Sequence, residues 1–389
     1  MPNSSSRTKS RLKVGIACGY YLPHLGGIER YVDKLSRALM KLGYEIVIIT
    51  SNHDGLNSIG KDDGRTIYRL PTIGLFRGRY PIPNINSEYR RLISEIEKEN
   101  IDVFLLNTRF HLTSLIGAKM GKRLRRPVML IEHGTGHLTV NNSILDYWGK
   151  LYEHALTWWI KRFVDRFYGV SKACNVWLRH FGIRAGGVFY NAIDVSDGRS
   201  VKDLFGKRYP EDSIVISYAG RIIREKGIVN LLDAFEVVKK NSKADVRLVV
   251  AGDGPLLADL RKAYKSKSVD FLGRVDFAEV MSLNQRADIF VYPSLYPEGL
   301  PTSILEAGLM NCAVVTTPRG GTDEVIRDGQ HGIITDGSVE ELSGAIEGLL
   351  LDSGLRKGLA RALKHKVENT FDWAAVAGVV DKEIRDLRS

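Results

Sequence analysis

Cysteine is scarce: Cys18, Cys174 and Cys312 are odd in number and far apart in a chain of 389 residues. That excludes a disulfide framework or a cysteine metal cluster, and a reducing, cytoplasmic setting is expected. No apolar run approaches the roughly 18 residues that cross a bilayer. The first ten residues are Ser-rich and basic with no apolar segment after them, which reads as a frayed start rather than a secretion signal. Neither a G-x-x-x-x-G-K-[ST] loop nor a G-x-G-x-x-G after the first strand occurs, which disfavours a kinase and an NAD enzyme. Internal repeats are missing too.

What is present is the balance of a soluble globular protein, 44% hydrophobic and 26% charged, in a chain too long for one ordinary core. Two domains are therefore expected. The net charge of +11 is unevenly spread. Residues 1–190 carry 29 Lys and Arg against 15 Asp and Glu, whereas the remainder carries 27 against 30. A basic N-terminal half attracts an anionic surface, either nucleic acid or acidic lipid headgroups. The plainer alternative is a solvated face.

The apolar pattern alternates between strands and helices. Residues 12–17 suit a buried strand. Ile28, Tyr31, Val32, Leu35, Ala38, Leu39 and Leu42 then recur at helical steps, and Gly43 closes that helix. A strand over 45–50 completes a parallel βαβ unit. Further strands are expected over 102–106 and 127–132, around a helix at 112–124. A second series has strands at 214–219, 246–251, 270–272, 289–292 and 313–316, with a helix around 229–239. The polar stretch 191–207 reads as a linker between the series. The expected architecture is α/β: two doubly wound, Rossmann-like domains facing a central cleft, with ligands beyond the carboxyl ends of the strands.

Two loops at such strand ends carry chemistry. Gly220-Arg-Ile-Ile-Arg-Glu-Lys-Gly227 follows the strand ending at Ala219 and puts Arg221 and Lys226 where a leaving diphosphate can be neutralised. Alone, it is equally an exposed basic loop. Glu298-Gly-Leu-Pro-Thr-Ser-Ile-Leu-Glu306 follows the strand at 289–292 and opens a helix at Thr302. Backbone N–H groups there, with Gly299 and Leu300 beside them, suit phosphate oxygens. Glu306, about one turn into the helix, can accept two hydrogen bonds from vicinal hydroxyls such as those of ribose, and Glu298 can hold hydroxyls of a sugar. Two glutamates eight apart are also a common surface pattern.

Between these loops stand a Gly252-Asp-Gly-Pro255 turn and Phe271-Leu-Gly-Arg-Val275. The four motifs, in this order and spacing, resemble the retaining family 4 glycosyltransferases, which have the GT-B fold. The likeness covers the whole chain and is sharpest from Gly220 to Glu324. It implies a hexosyltransferase that moves a sugar from a nucleotide diphosphate donor to a hydroxyl of a glycan or lipid-linked saccharide, as in surface-polysaccharide assembly. It further implies that Gly26 and Gly27 let the backbone approach the donor diphosphate, and that Arg221 and Lys226 bind it. Glu298 would lie near the donor sugar and Glu306 on the ribose. Gly273, Arg274 and Val275 would line the base pocket, and His133 of Glu132-His-Gly134 would stand near the sugar. Phe371-Asp-Trp373 resembles the point where a last helix crosses back. Residues 11–190 with 373–389 are thus expected to bind acceptor, and 191–372 to bind the nucleotide sugar.

No cofactor is expected. The chain has no Asp-x-Asp triplet to hold a divalent ion on a diphosphate, so positive side chains and a helix terminus would neutralise it instead. His133 and His137 are four apart, but Gly134 and Gly136 favour a loop over the helix that a zinc pair of this spacing needs. Two rival readings are a nucleotide-sugar 2-epimerase and a catalytically silent nucleotide-sugar-binding protein.

Lys119, Lys122, Arg123, Arg125 and Arg126 cluster at one helix end, and Arg77 and Arg79 stand beside Phe76 and Tyr80. Residues 147–163 add Trp148, Tyr152, Trp158 and Trp159 with Lys161 and Arg162. Basic charge with interfacial aromatics suits peripheral docking on the anionic inner face of the cell membrane. Core tryptophans with solvated charges are the alternative. No nucleic-acid-binding module accompanies the charge, so nucleic acid is not an expected partner.

Overall fold

The computed structural model describes residues 11–24, 26–53, 55–75, 80–139 and 142–388, so Phe76, Arg77 and Arg79 lie outside the described residues. The chain divides into two compact units, one of residues 1–170, 174–189 and 376–389, the other of 171–173 and 190–375.

The first unit holds strands β1 (Lys13–Ala17), β2 (Glu45–Asn52), β3 (Ile59–Asp62), β4 (Arg65–Leu75), β5 (Tyr80–Pro83), β6 (Val103–Asn107), β7 (Val128–Glu132), β8 (Arg166–Gly169) and β9 (Gly187–Val188). Their order is β3-β4-β2-β1-β6-β7-β8-β9, with β5 paired to β4. β4 runs antiparallel to β3 and β5, and the other pairs are parallel. Helices α1 (Gly27–Lys41), α2 (Ser87–Lys98), α3 (Leu112–Arg123), α4 (Ser143–Ile160) and α5 (Lys172–Arg179) connect them. Parallel strands need such crossovers, and helices on both faces leave β6 and β7 buried throughout. Their sequences are accordingly continuous apolar runs. α1 buries Tyr31, Val32, Leu35, Ala38 and Leu39, and Gly43 ends the turn after it at φ +93°.

In the second unit β10 (Ile214–Ala219), β11 (Val246–Ala251), β12 (Val269–Gly273), β13 (Ile289–Tyr292), β14 (Ala313–Thr316) and β15 (Ile333–Ile334) form an all-parallel sheet in the order β12-β11-β10-β13-β14-β15. Helices α6 (Ile228–Asn241), α7 (Leu257–Ala263), α8 (Phe277–Arg286), α9 (Thr302–Leu309), α10 (Thr322–Val325), α11 (Val339–Leu351) and α12 (Ser353–Thr370) complete it. This is the doubly wound order, and it reverses between β10 and β13. The crevice outside their carboxyl ends is where such sheets take ligands. In the first unit the same reversal falls between β1 and β6.

One expectation needs correction. Residues 191–207 are no free linker: Ile193 and Phe205 are buried in the second unit's core, and Ile193 donates its N–H to the Phe371 carbonyl at 2.8 Å. The last helix, α13 (Trp373–Arg388), buries Trp373, Val376, Val380 and Ile384 but exposes Val379. Its residues to Ala375 belong to the second unit and those from Val376 to the first. Within the first unit, Tyr44 donates to Asp381 at 2.6 Å and Arg166 pairs with Glu383 at 2.8 Å.

Candidate active site

In the second unit, the loops leaving β10 and β13 come together. Gly227 sits at φ +70°, and a Cβ there would run into the Pro293 carbonyl oxygen, so only glycine permits the approach. Leu295 N–H donates to the Glu225 carbonyl at 2.9 Å, joining the two loops. Lys226 is thereby aimed at the β13 loop, where its Nζ pairs with Glu298 Oε1. The same carboxylate oxygen accepts from the Tyr292 hydroxyl at 3.0 Å and the Ser294 hydroxyl at 2.9 Å. Lys226 also donates to the Tyr292 oxygen at 3.0 Å. One oxygen therefore gathers a lysine, a phenol and an alcohol.

Burial, and then the charge of Glu298, push the Tyr292 phenol well above its ordinary range, so it keeps its proton and acts as a donor. Burial likewise raises Tyr218, whose hydroxyl donates to the Arg221 carbonyl at 3.0 Å and steadies the basic loop. Glu298 is held from behind as well. Gly320 lies at φ +60° with its missing Cβ directed at the Glu298 carbonyl, and Gly321 N–H donates to the Gly299 carbonyl at 2.9 Å. Asn191 donates to the Leu300 carbonyl at 3.2 Å.

α9 starts at Thr302 as expected, with Pro301 before it and no side-chain cap on its first turn. Its opening N–H groups are suited to an anion. Glu306 stands one turn further on, half-buried. Arg221 and Arg274 are exposed. Gly273, at φ +78°, ends β12 and accepts the Gly252 N–H at 2.8 Å, with Val275 half-buried beyond it. Tyr218, Tyr292 and Ser294 escaped the sequence reading. Their one signal is a polar atom in or just after an otherwise apolar strand.

The first unit presents a second polar centre at the carboxyl ends of its strands. His133 Nε2 lies 3.0 Å from Asn107 Oδ1, and its ring stands edge-on to Tyr31. Asn107 gives its amide N–H to the Ala17 carbonyl at 3.3 Å, which turns Oδ1 toward the imidazole and makes Nε2 the protonated nitrogen. Burial, and then the neighbouring His111, lower the His133 pKa to about 3. The preceding Glu132 accepts the backbone N–H of His133 at 3.0 Å and of Gly134 at 3.1 Å. Its other oxygen binds Arg109 at 2.7 Å, and Arg109 binds Glu153 at 2.7 Å, all three nearly inaccessible to solvent. Thr108 holds φ +65° between Asn107 and Arg109, an unusual conformation for a β-branched residue. None of Asn107, Arg109 or Glu153 was singled out by sequence, because each sits inside or beside an apolar segment with no spacing to betray it. Gly27 leaves open space where a Cβ would stand, whereas at Gly26 a Cβ would meet the Glu29 carboxylate.

The basic cluster is exposed at Lys119, Lys122, Arg123 and Arg125 and half-exposed at Arg126. Arg123 pairs with Glu97, and Arg126 lies 3.8 Å from Asp102. Lys119 sits over the Trp159 ring at 3.8 Å and Arg162 over Trp158 at 3.4 Å. Trp148 and Trp158 are 64% and 61% exposed, which rules out a core role for them. They share α4 with exposed Ile144, Leu145, Tyr147 and Leu151. Among the described residues no helix is long and apolar enough to cross a membrane.

Comparison with known proteins agrees with this architecture. Residues 202–366 match the model for glycosyl transferases group 1, and residues 25–197 match that for glycosyltransferase family 4. The uncharacterized glycosyltransferase MJ1069 of Methanocaldococcus jannaschii is 28% identical, over 93% of this chain and 95% of its own. The phosphatidylinositol N-acetylglucosaminyltransferase GPI3 subunit of Saccharomyces cerevisiae is also 28% identical, over 94% of this chain and 80% of its own. Among solved structures, Anabaena Alr3699/HepE in complex with UDP and glucose superposes with a TM-score of 0.74 at 16% identity, covering 97% of this chain and all of that one. WaaG, a glycosyltransferase involved in lipopolysaccharide biosynthesis, gives 0.67 at 16% identity, over 95% and 99%. Fold and relatives together define an enzyme with two Rossmann-like domains of the GT-B type. The chain is a glycosyltransferase whose two parts match the group 1 and family 4 models.

Proposed function

We propose that the enzyme transfers a sugar, with retention of configuration, from a nucleotide diphosphate donor to a hydroxyl on a lipid-borne acceptor. The observation that carries this reading is the convergence of Lys226, Tyr292 and Ser294 on one oxygen of Glu298, beside the uncapped start of α9. Lys226 and Arg221 supply the charge for a departing diphosphate, and the α9 N–H groups add fixed dipoles. Glu298 keeps Lys226 oriented until the donor enters and then holds hydroxyls of the sugar. Glu306 takes the ribose, with Gly273, Arg274 and Val275 on the base. The HepE complex with UDP and glucose supports a uridine diphosphate donor as the first to try.

No carboxylate stands out as a nucleophile for double displacement. The leaving phosphate therefore accepts the acceptor's proton on the same face, and no metal takes part. His133 is neutral over the working pH range. With Nε2–H committed to Asn107, its Nδ1 accepts a hydrogen bond from a sugar hydroxyl.

The acceptor is a saccharide or hydroxyl presented at an anionic membrane surface on the cytoplasmic side, and the enzyme docks there peripherally through α4 and the Lys119–Arg126 cluster. The exposed aromatics of α4 and the basic N-terminal half support this. So do the names of relatives concerned with phosphatidylinositol and lipopolysaccharide, which point to lipid acceptors more broadly than to one surface polysaccharide.

Thermal stabilisation by a panel of nucleotide sugars tests the donor. One of them should raise Tm by several degrees, and Lys226→Ala should remove most of that rise. Equal stabilisation of wild type and variant contradicts the donor site. Conversion of that donor without any acceptor points to an epimerase instead.

A further inference from the structure

We propose that His137, His154 and His180 form a site for one divalent transition-metal ion, with zinc the best match, in the first unit and outside the donor-binding residues. The three come from the loop after β7, from α4 and from the turn after α5. Each offers one ring nitrogen, and the three nitrogens lie within 4.8 Å of one another. His154 Nε2 and His180 Nε2 are 3.2 Å apart. Tetrahedral ligation with Zn–N of about 2.0–2.1 Å sets ligand nitrogens about 3.3 Å apart and their ring centres about 5 Å apart. The observed ring-centre distances are 5.5 Å for His137–His154, 5.4 Å for His137–His180 and 5.0 Å for His154–His180. That near-equilateral triangle needs only small ring movements to close on an ion.

The surroundings are those of a ligand set. His137 Nδ1 meets Glu153 Oε2 at 3.1 Å. A carboxylate there accepts a hydrogen bond from Nδ1–H, which fixes the tautomer and leaves Nε2 to ligate, as partners of metal-bound histidines do. Glu153 is itself buried, shares Arg109 with Glu132, and accepts the Leu138 N–H at 2.9 Å, so it is rigidly placed. Aromatic walls enclose the triangle, with Trp177 stacked on His180 at 4.9 Å and Phe181 against His154 at 4.8 Å. A simple aromatic cluster gives no reason for three nitrogens to converge while His154 and His180 remain exposed. The all-imidazole donor set selects zinc, nickel or copper over magnesium or calcium. Three histidines leave a fourth position for solvent.

The ion would tie the loop after β7 to α4 and α5. Through Glu153, Arg109 and Glu132 that loop is joined to the backbone of His133, so an occupied site would rigidify the segment carrying it. The role is one of positioning. It is independent of the donor assignment and of any metal at the diphosphate.

The test is zinc titration of the untagged, chelator-stripped chain by calorimetry. One ion per chain is expected, with an absorption-edge spectrum of imidazole ligands at about 2.0 Å. His154→Ala and His180→Ala should each weaken binding at least about tenfold while Tm without metal stays unchanged, both side chains being exposed. His331→Ala, in the second unit, should bind as wild type. Zinc should also slow amide exchange between Thr135 and Thr139. No stoichiometric binding, wild-type affinity in the two site variants, or loss in the His331 variant overturns the site. Unchanged exchange overturns the loop's fixation.

Discussion

Glu298 illustrates how a carboxylate is made specific by its donors. A charge shared with Lys226 and two neutral hydroxyls on one oxygen is held in place without being extinguished. Removing a neutral donor should matter less than removing the cation. Tyr292→Phe is expected to lower kcat/KM about tenfold, the effect of one hydrogen bond. Lys226→Ala should lower it about a hundredfold or more, as for loss of a charge that stabilises the leaving group. Equal effects in steady-state assays would contradict this ranking. His133 gives a prediction on stability. Its folded pKa of about 3 lies below the ordinary 6.5, and that of His111, at about 4, does so through burial. The unfolded chain then binds more protons between these limits, so stability is full above about pH 6.5 and falls as the pH drops toward 3–4. In urea unfolding from pH 7 to 4, His133→Gln should show a shallower loss than wild type. Identical slopes would remove His133 as a contributor. Glu298 and Lys226 were legible because each occupies a loop directly after a strongly apolar strand. Tyr292, Arg109 and Glu153 were not, since a buried polar group satisfied by a distant partner leaves no periodicity in the sequence.

At the scale of elements, the second unit was readable almost strand by strand, because parallel strands covered on both faces are short, continuous Val and Ile runs. The β3–β4–β5 edge was missed. β4 carries the fully buried Arg65, whose charge is met by Asp33 at 2.6 Å and by the Ser36 hydroxyl at 2.8 Å, and a cation in a strand hides its inward face. α4 was recognised as aromatic, but its orientation needed the structure. It buries Glu153, Leu156, Thr157 and Ile160 and leaves tryptophans on the opposite side. Replacing Trp148 and Trp158 together by Ser should reduce binding to vesicles containing acidic lipid at least tenfold with little change in Tm, about one aromatic's interfacial contribution each. Neutralising Lys119, Lys122, Arg123, Arg125 and Arg126 should weaken it further and flatten its salt dependence. Sedimentation with vesicles checks both. Unaltered binding would leave α4 as a contact for another protein.

For the whole molecule, the family, the two Rossmann-like domains and the charge asymmetry form one account: a basic half suited to an anionic surface, and a nearly neutral half whose crevice is proposed to take the donor diphosphate. Both sheets reverse order beside the residues assigned to ligands, β1 and β6 in one unit and β10 and β13 in the other. Gly26 and Gly27 follow β1, Arg221 and Lys226 follow β10, and Glu298 follows β13, whereas His133 follows β7 and Gly273 ends β12. The acceptor was not readable from the sequence. The most direct measurement is nucleoside diphosphate release during transfer by wild type and Glu298→Gln, with circular dichroism and Tm matched. The variant should turn over about a hundredfold or more slowly while remaining folded. Near-normal release by a folded Glu298→Gln enzyme would contradict the assignment of this crevice as the site of transfer.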